Sequence, residues 1–134
     1  MRLTELCVIA HYLHAKWSIE FHPAFKAEFD ELSSAVQDAL LSMLVPLRER
    51  GPALGRPDVD TLNGSCYANM KELRFRASGG VWRVAFAFDP RRSGILLVAG
   101  DKAGVREPRF YQRLIGKADK RFKEHLKNLN IREQ

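Results

Sequence analysis

Between residues 70 and 99 the chain runs through three apolar segments separated by two short turn-forming sequences, and few folds accommodate that pattern. Residues 70–77 alternate apolar and polar side chains, Ser78-Gly79-Gly80 turns, and residues 81–88 alternate again. Asp89-Pro90-Arg91-Arg92-Ser93-Gly94 forms a second turn, after which residues 95–99 are almost continuously apolar. A period of two marks a half-buried strand, and short Gly- or Asp/Pro-containing links join strands antiparallel. The expectation is a three-stranded antiparallel meander built from two hairpins in series.

The flanks add one strand and three helices. Trp17-Ser18-Ile19-Glu20-Phe21 alternates, as a strand would. His22-Pro23 opens a helical stretch in which Phe25, Phe29 and Leu32 recur at helical spacing. Ser34-Ala35-Val36-Gln37 reads as a capping box for a second helix, with Val36, Leu40, Met43, Leu44 and Leu47 on one stripe. Pro46 should kink or interrupt that helix, because proline removes a donor and crowds the preceding turn. Residues 51–69 read as a loop rich in Gly, Pro, Asp and Asn. From Pro108 a last helix carries Phe110, Leu114, Ala118, Phe122, Leu126 and Leu129 on one face, and Arg113, Lys117, Lys120, Lys123 and Lys127 on the other. One strand, two helices, a meander and a C-terminal helix make an α+β fold, with the helices expected on one sheet face and the other face left for a ligand.

At 134 residues the chain has room for one domain, taken as residues 16–130, with residues 1–15 as an N-terminal extension of uncertain order. The net charge of +6 points to polyanions or an acidic protein as partners. Cys7 and Cys66 are far apart and do not suggest a disulfide framework. No stretch approaches the roughly 18 apolar residues of a membrane span, so the expected location is the cytoplasm. His11 and His14 could seed a metal site only with further ligands, and none is evident.

Period two also sorts the chemistry. Leu73 and Phe75 should face the core, which turns Glu72, Arg74 and Arg76 to the other side. Pairing through the Ser78-Gly79-Gly80 turn then sets Arg83 beside Arg74 and Arg76, next to Ala85 and Ala87, whose small side chains leave room. Three guanidiniums there would form a phosphate-binding concavity, since the planar fork grips phosphate oxygens and keeps its charge. The same pattern also describes a plain solvated face with Glu72 as its counter-ion, and the residues alone leave both open.

The segment Lys71-Glu72-Leu73-Arg74-Phe75-Arg76-Ala77-Ser78-Gly79-Gly80-Val81-Trp82-Arg83-Val84-Ala85-Phe86 resembles the central hairpin of RelE/ParE-type toxins. Those proteins repeat a basic strand, a Ser/Gly turn and an aromatic-Arg-hydrophobic strand. Ile95-Leu96-Leu97-Val98-Ala99-Gly100-Asp101-Lys102-Ala103-Gly104 is similar to the last strand of that family and its basic exit. The closing stretch from Arg109-Phe110-Tyr111 to Leu126 resembles the C-terminal helix of the HigB-like, phage-derived branch. The resemblance covers residues 17–129.

It implies a RelE-like fold and the toxin of a type II toxin–antitoxin system: an endoribonuclease that cuts mRNA at the ribosome by attack of a ribose 2′-hydroxyl on the adjacent phosphate. No metal or cofactor is implied, and the implied partners are a cognate antitoxin, mRNA and ribosomal RNA. Position by position, Arg74 and Arg76 match the family's basic pair, Arg83 its phosphate-binding arginine, Lys102 the basic residue after the last strand, and Tyr111 the C-terminal aromatic. RelE-type nucleases carry lysine where this chain has Arg74 and Arg76. Arginine holds its proton to about pH 12 and cannot act as a base. The proton acceptor is then Tyr111, Lys102 or His125, with Tyr111 first because the family position supports it. Two other readings remain: a ParE-type protein that binds DNA gyrase and cuts nothing, and an inactive prophage relic of the same fold.

Overall fold

A computed structural model describes residues 17–133; the N-terminal extension, with Cys7, His11 and His14, lies outside the described residues. In chain order the elements are β1 (Ser18–Phe21), α1 (Pro23–Asp30), α2 (Ser34–Arg50), β2 (Val59–Thr61), β3 (Lys71–Ala77), β4 (Gly80–Phe88), β5 (Ser93–Asp101) and α3 (Glu107–Glu133). The expected α+β order is present. The sheet runs β1-β5-β4-β3-β2, antiparallel except where β1 lies parallel to β5. The β3–β4 hairpin closes through Ser78 and Gly79, both at positive φ (50° and 75°). Left-handed values at both central residues give the turn whose twist suits a tight hairpin.

Alternation along β4 and β5 sorts side chains into two cores. Val84, Phe86 and Leu96 join Leu73, Phe25, Phe29, Leu40, Leu44 and Leu47 under α1 and α2. Ala85, Ala87, Ile95 and Leu97 join Phe110, Leu114, Ala118 and Phe122 under α3. Each buried Leu, Val or Phe removes apolar area worth about 1.5–3 kcal/mol from water. The helices therefore occupy both faces of the sheet, where one face was expected. The small Ala85 and Ala87 do leave room, and α3 fills it: both are fully buried beneath the helix. A near-continuous apolar β5 agrees with this, because a strand covered on both faces has no solvent side.

Three local expectations also shift. The N-cap of α2 is Ser33, whose hydroxyl accepts from Val36 N at 3.3 Å, while the Gln37 side chain donates 2.8 Å to Phe29 O at the end of α1. The box is thus opened one residue earlier, and Gln37 ties the two helices together. Pro46 lies inside α2 without ending it, between the buried Leu44 and Leu47 that hold both neighbouring turns against the sheet. The loop of residues 51–69 contains a fifth strand, since Val59-Asp60-Thr61 pairs with β3.

His22 caps α1. Its Nδ1 accepts from Ala24 N at 3.1 Å, and its Nε2 lies 3.3 Å from Glu124. Burial lowers its pKa; Glu124 opposes that, while Arg121 and His125 add to it. The unfolded chain therefore takes up this proton more readily than the folded one. The stabilisation is complete above the unfolded value and is lost as pH falls through it toward the lowered one. Between about pH 7.5 and 5.5 the urea midpoint of the wild-type chain should fall more than that of His22→Asn, which keeps a cap acceptor but does not titrate; the difference should reach no more than roughly 1 kcal/mol. Parallel pH profiles would show that His22 does not cap through its neutral ring.

Candidate functional site

The face of β3 and β4 that α3 covers carries Glu72, Arg74 and Arg83. Arg74 and Arg83 are direct cross-strand partners, and Glu72 pairs with Ala85 one step along. Side chains opposite one another in a ladder stand about 4.5–5.5 Å apart at Cβ, so register alone brings the two guanidiniums together. Tyr111, in the first turns of α3, closes the cluster from above. The cleft beside it, about 330 Å³, is lined by Asp60, Thr61, Leu62, Asn63, Glu72, Arg74, Glu107 and Tyr111.

Glu72 is the centre. It is 2% exposed, and its Oε1 gathers every contact: Arg74 Nε and Nη2, each at 2.8 Å, the Tyr111 hydroxyl donating at 3.2 Å, and Arg83 Nε at 3.9 Å. Oε2 is buried with no hydrogen-bond partner, and so is Arg83 Nε. Desolvating a carboxylate costs several kcal/mol, which the charged donors on Oε1 offset. The unmatched acceptor and unmatched donor are the part of the cluster that nothing among the described residues satisfies. Natural structures leave few such atoms, and each calls for an explanation.

Four of the five residues picked out from the sequence come together here. Arg74, Arg83 and Tyr111 meet on Glu72, and Lys102 Nζ stands 6.0 Å above the Tyr111 ring while pairing with Glu107 at 3.1 Å. Arg76 stays out: it is exposed on β3, opposite Val81. The site also differs in charge from a bare arginine concavity. Arg74 shares itself between Glu72 and Asp60 (3.3 Å), and Lys102 is held by Glu107, so three carboxylates balance Arg74, Arg83 and Lys102. For Arg74, burial alone would lower the pKa, but Glu72 and Asp60 reverse it and hold the proton more firmly.

For proton transfer the structure rearranges the candidates. Burial pushes the Tyr111 hydroxyl up from its ordinary value; Arg83 partly offsets this, and Glu72 adds to it. A phenol so placed keeps its proton and donates. His125 sits elsewhere on α3, with Nε2 2.8 Å from the buried Asp89 carboxylate and its ring stacked on Phe122. Glu72, which entered the sequence argument only as a counter-ion, is the carboxylate in place to accept a proton. Its place two residues before Arg74 on the same strand face, diagonal to Arg83, was the available signal. Among the described residues no group of His, Cys, Asp and Glu stands where it could hold a metal ion.

The sequence profile of the family described as Phage derived protein Gp49-like (DUF891) matches residues 27–123. Two Mycobacterium tuberculosis proteins designated as toxins are similar in sequence. HigB2 is 46% identical over 96 residues, which is 71% of this chain and 47% of HigB2. HigB3 is 50% identical over 80 residues, which is 60% of this chain and 68% of HigB3. The chain thus spans about half the length of the longer relative. A free-state structure of a double arginine-to-alanine mutant of Escherichia coli toxin RelE superposes with a TM-score of 0.57 at 18% identity, covering 78% of this chain and 96% of that one.

If Glu72 carries the cluster, Glu72→Ala should strand two partly buried guanidiniums and cost about 2–4 kcal/mol in urea unfolding. Tyr111→Phe, which removes a single hydroxyl, should cost about 1 kcal/mol. The double variant should cost less than the two summed, because the residues share a contact. A Glu72→Ala cost as small as that of Tyr111→Phe would identify Glu72 as an ordinary surface counter-ion.

Proposed function

The chain belongs to the Gp49-like, phage-derived family, the HigB-like branch of the RelE/ParE superfamily, and on that footing we propose that it is the toxin of a toxin–antitoxin system and cleaves mRNA. The observation that carries the chemistry is the pair of unsatisfied buried atoms, Glu72 Oε2 and Arg83 Nε, lying within one cluster. RNA cleavage by its own 2′-hydroxyl brings a donor in need of an acceptor and a phosphate in need of donors. The two vacancies match those two needs.

In this mechanism an incoming phosphate competes with Asp60 for Arg74, whose 3.3 Å contact there is its longest. Arg74 turning outward opens the way to Glu72. The carboxylate then takes the 2′-hydroxyl proton as the O2′–P bond forms. Arg83 and Arg74 stabilise the charge that develops on the phosphorane oxygens, the usual source of the largest rate term. As the P–O5′ bond breaks, O5′ receives the Tyr111 proton, which leaves a 2′,3′-cyclic phosphate and a 5′-hydroxyl. The 3.2 Å hydrogen bond between Tyr111 and Glu72 then lets the carboxyl return a proton to the phenolate, restoring the starting state. Arg76, exposed at the rim, and Lys120, Lys123 and Lys127 on the outer face of α3 suit contact with message and ribosomal RNA in the cytoplasm.

Tightly induced expression of wild type, Arg83→Ala and Glu72→Gln, each checked for soluble protein, tests this by mapping new RNA 5′ ends. New ends inside translated frames should appear with wild type and fall by about 10²–10³ in each variant. Ends in phase with codons would place the cut at the ribosome. Arrest without new ends would move the target to gyrase or another binding partner. Undiminished cutting by Glu72→Gln would remove it as the acceptor, and soluble protein without arrest would reduce the chain to an inactive relic.

A further inference from the structure

The turn that leads out of β2 is held at both ends and free in the middle. Leu62 is buried, and its N–H donates to Met70 O at 3.0 Å. A little further on, the Ser65 hydroxyl and Cys66 N both donate to the Asp119 carboxylate of α3, the latter at 3.1 Å. Between these anchors lie Asn63 and Gly64, both exposed. Among the described residues nothing hydrogen-bonds to the Asn63 amide or to Gly64 N. Gly64 has a φ of 99°, a left-handed value that side chains disfavour, so the turn itself calls for glycine there.

That requirement places an unshielded backbone nitrogen directly after an asparagine. Glycine has no Cβ to screen its N–H, and the Asn63 side-chain carbonyl is the electrophile next to it in the chain. Once Gly64 N gives its proton to solvent, the nitrogen attacks Cγ of Asn63. The new N–Cγ bond closes a five-membered succinimide, the Cγ–Nδ2 bond breaks, and the leaving nitrogen takes a proton from water to depart as ammonia. Water then opens the ring at either carbonyl. The product is aspartate or, where the main chain is rerouted through Cγ, isoaspartate. Water enters and ammonia leaves, with no oxidant, reductant or cofactor involved.

We propose that Asn63 is a site of spontaneous deamidation, and that the carboxylate it gains loosens the hold of the cleft on phosphate, giving the chain a slow off-switch of its own. Asn63 lines the cleft of about 330 Å³ together with Arg74 and Tyr111. Asp60, Glu72 and Glu107 already line that cleft, and the Asn63 amide adds no charge to them. A further carboxylate repels an incoming phosphate and offers Arg74 another partner, at a partly buried site where charges are only weakly screened. Leu62 on one side and the Asp119 clasp on the other keep the altered residue at the cleft wall. The modification stands on the turn alone; its effect on phosphate binding rests on the nuclease reading above.

The test ages the purified full chain in mildly alkaline and in mildly acidic buffer, with peptide mass mapping to locate deamidated asparagine and isoaspartate. Conversion should appear at Asn63, run faster in alkali because Gly64 N must lose its proton, and vanish in Asn63→Gln, whose longer side chain closes the ring far more slowly. Affinity is then measured for a 2′-O-methyl RNA oligonucleotide, which has no 2′-hydroxyl to react. Fresh wild type and Asn63→Gln should bind alike, while aged wild type and Asn63→Asp should bind on the order of tenfold more weakly, with thermal melts confirming that each is folded. An Asn63 that stays intact, or one that converts no faster in alkali, overturns the proposal whether or not the chain cuts RNA. Conversion that leaves oligonucleotide affinity unchanged overturns the off-switch. A fresh chain that binds no oligonucleotide overturns the off-switch and the nuclease reading together, while the mass map still decides the modification.

Discussion

Missing bulk on one face of the sheet sets the geometry of everything above it. Ala85 and Ala87 on β4 and Gly100 on β5 give α3 a shallow bed, while their neighbours Val84 and Phe86 point the other way into the α1–α2 core. A helix can approach that closely only where side chains are small, because interiors pack at crystal-like density and make no allowance for extra methylenes. Seated there, α3 places Phe110 against Gly100 and Tyr111 over Glu72. Polar contacts from its far half, the Arg121–Glu28 ion pair and the 2.8 Å contact of His125 with Asp89, fix its long axis. The catalytic proposal thus depends on alanines that take no part in chemistry.

Closing the sheet on its second face changes what the arginines can do. In the open arrangement they would form a bare cationic patch and attract phosphate from any direction. Beneath α3 they share a pocket with Glu72 and Asp60, and the cluster sums to neutrality with Lys102 and Glu107 included. In the proposed mechanism, long-range attraction of RNA then falls to the exposed cations of the α3 surface within a chain of net charge +6. Short-range chemistry falls to atoms that lack partners. This division keeps a desolvated carboxylate next to guanidiniums at little cost until a substrate separates them.

Much of the fold was legible because period two and period 3.6 are strong signals: the hairpins, the helix stripes and the apolar β5 all lie where they were expected. The sidedness of α3 was not, since small residues on a strand face read equally well as space for a ligand or as a seat for a helix. β2 escaped because three residues inside a Gly-, Pro- and Asp-rich loop carry too short a pattern, and its pairing is fixed by β3. Arg74, Arg83 and Tyr111 were found through strand register and family resemblance together. Arg76 shares their face but stands one pair nearer the turn, beyond the helix. Glu72 was misjudged for an electrostatic reason: charge alternation suggests a solvated counter-ion, and nothing local reveals that a helix 35 residues downstream in the chain will bury it.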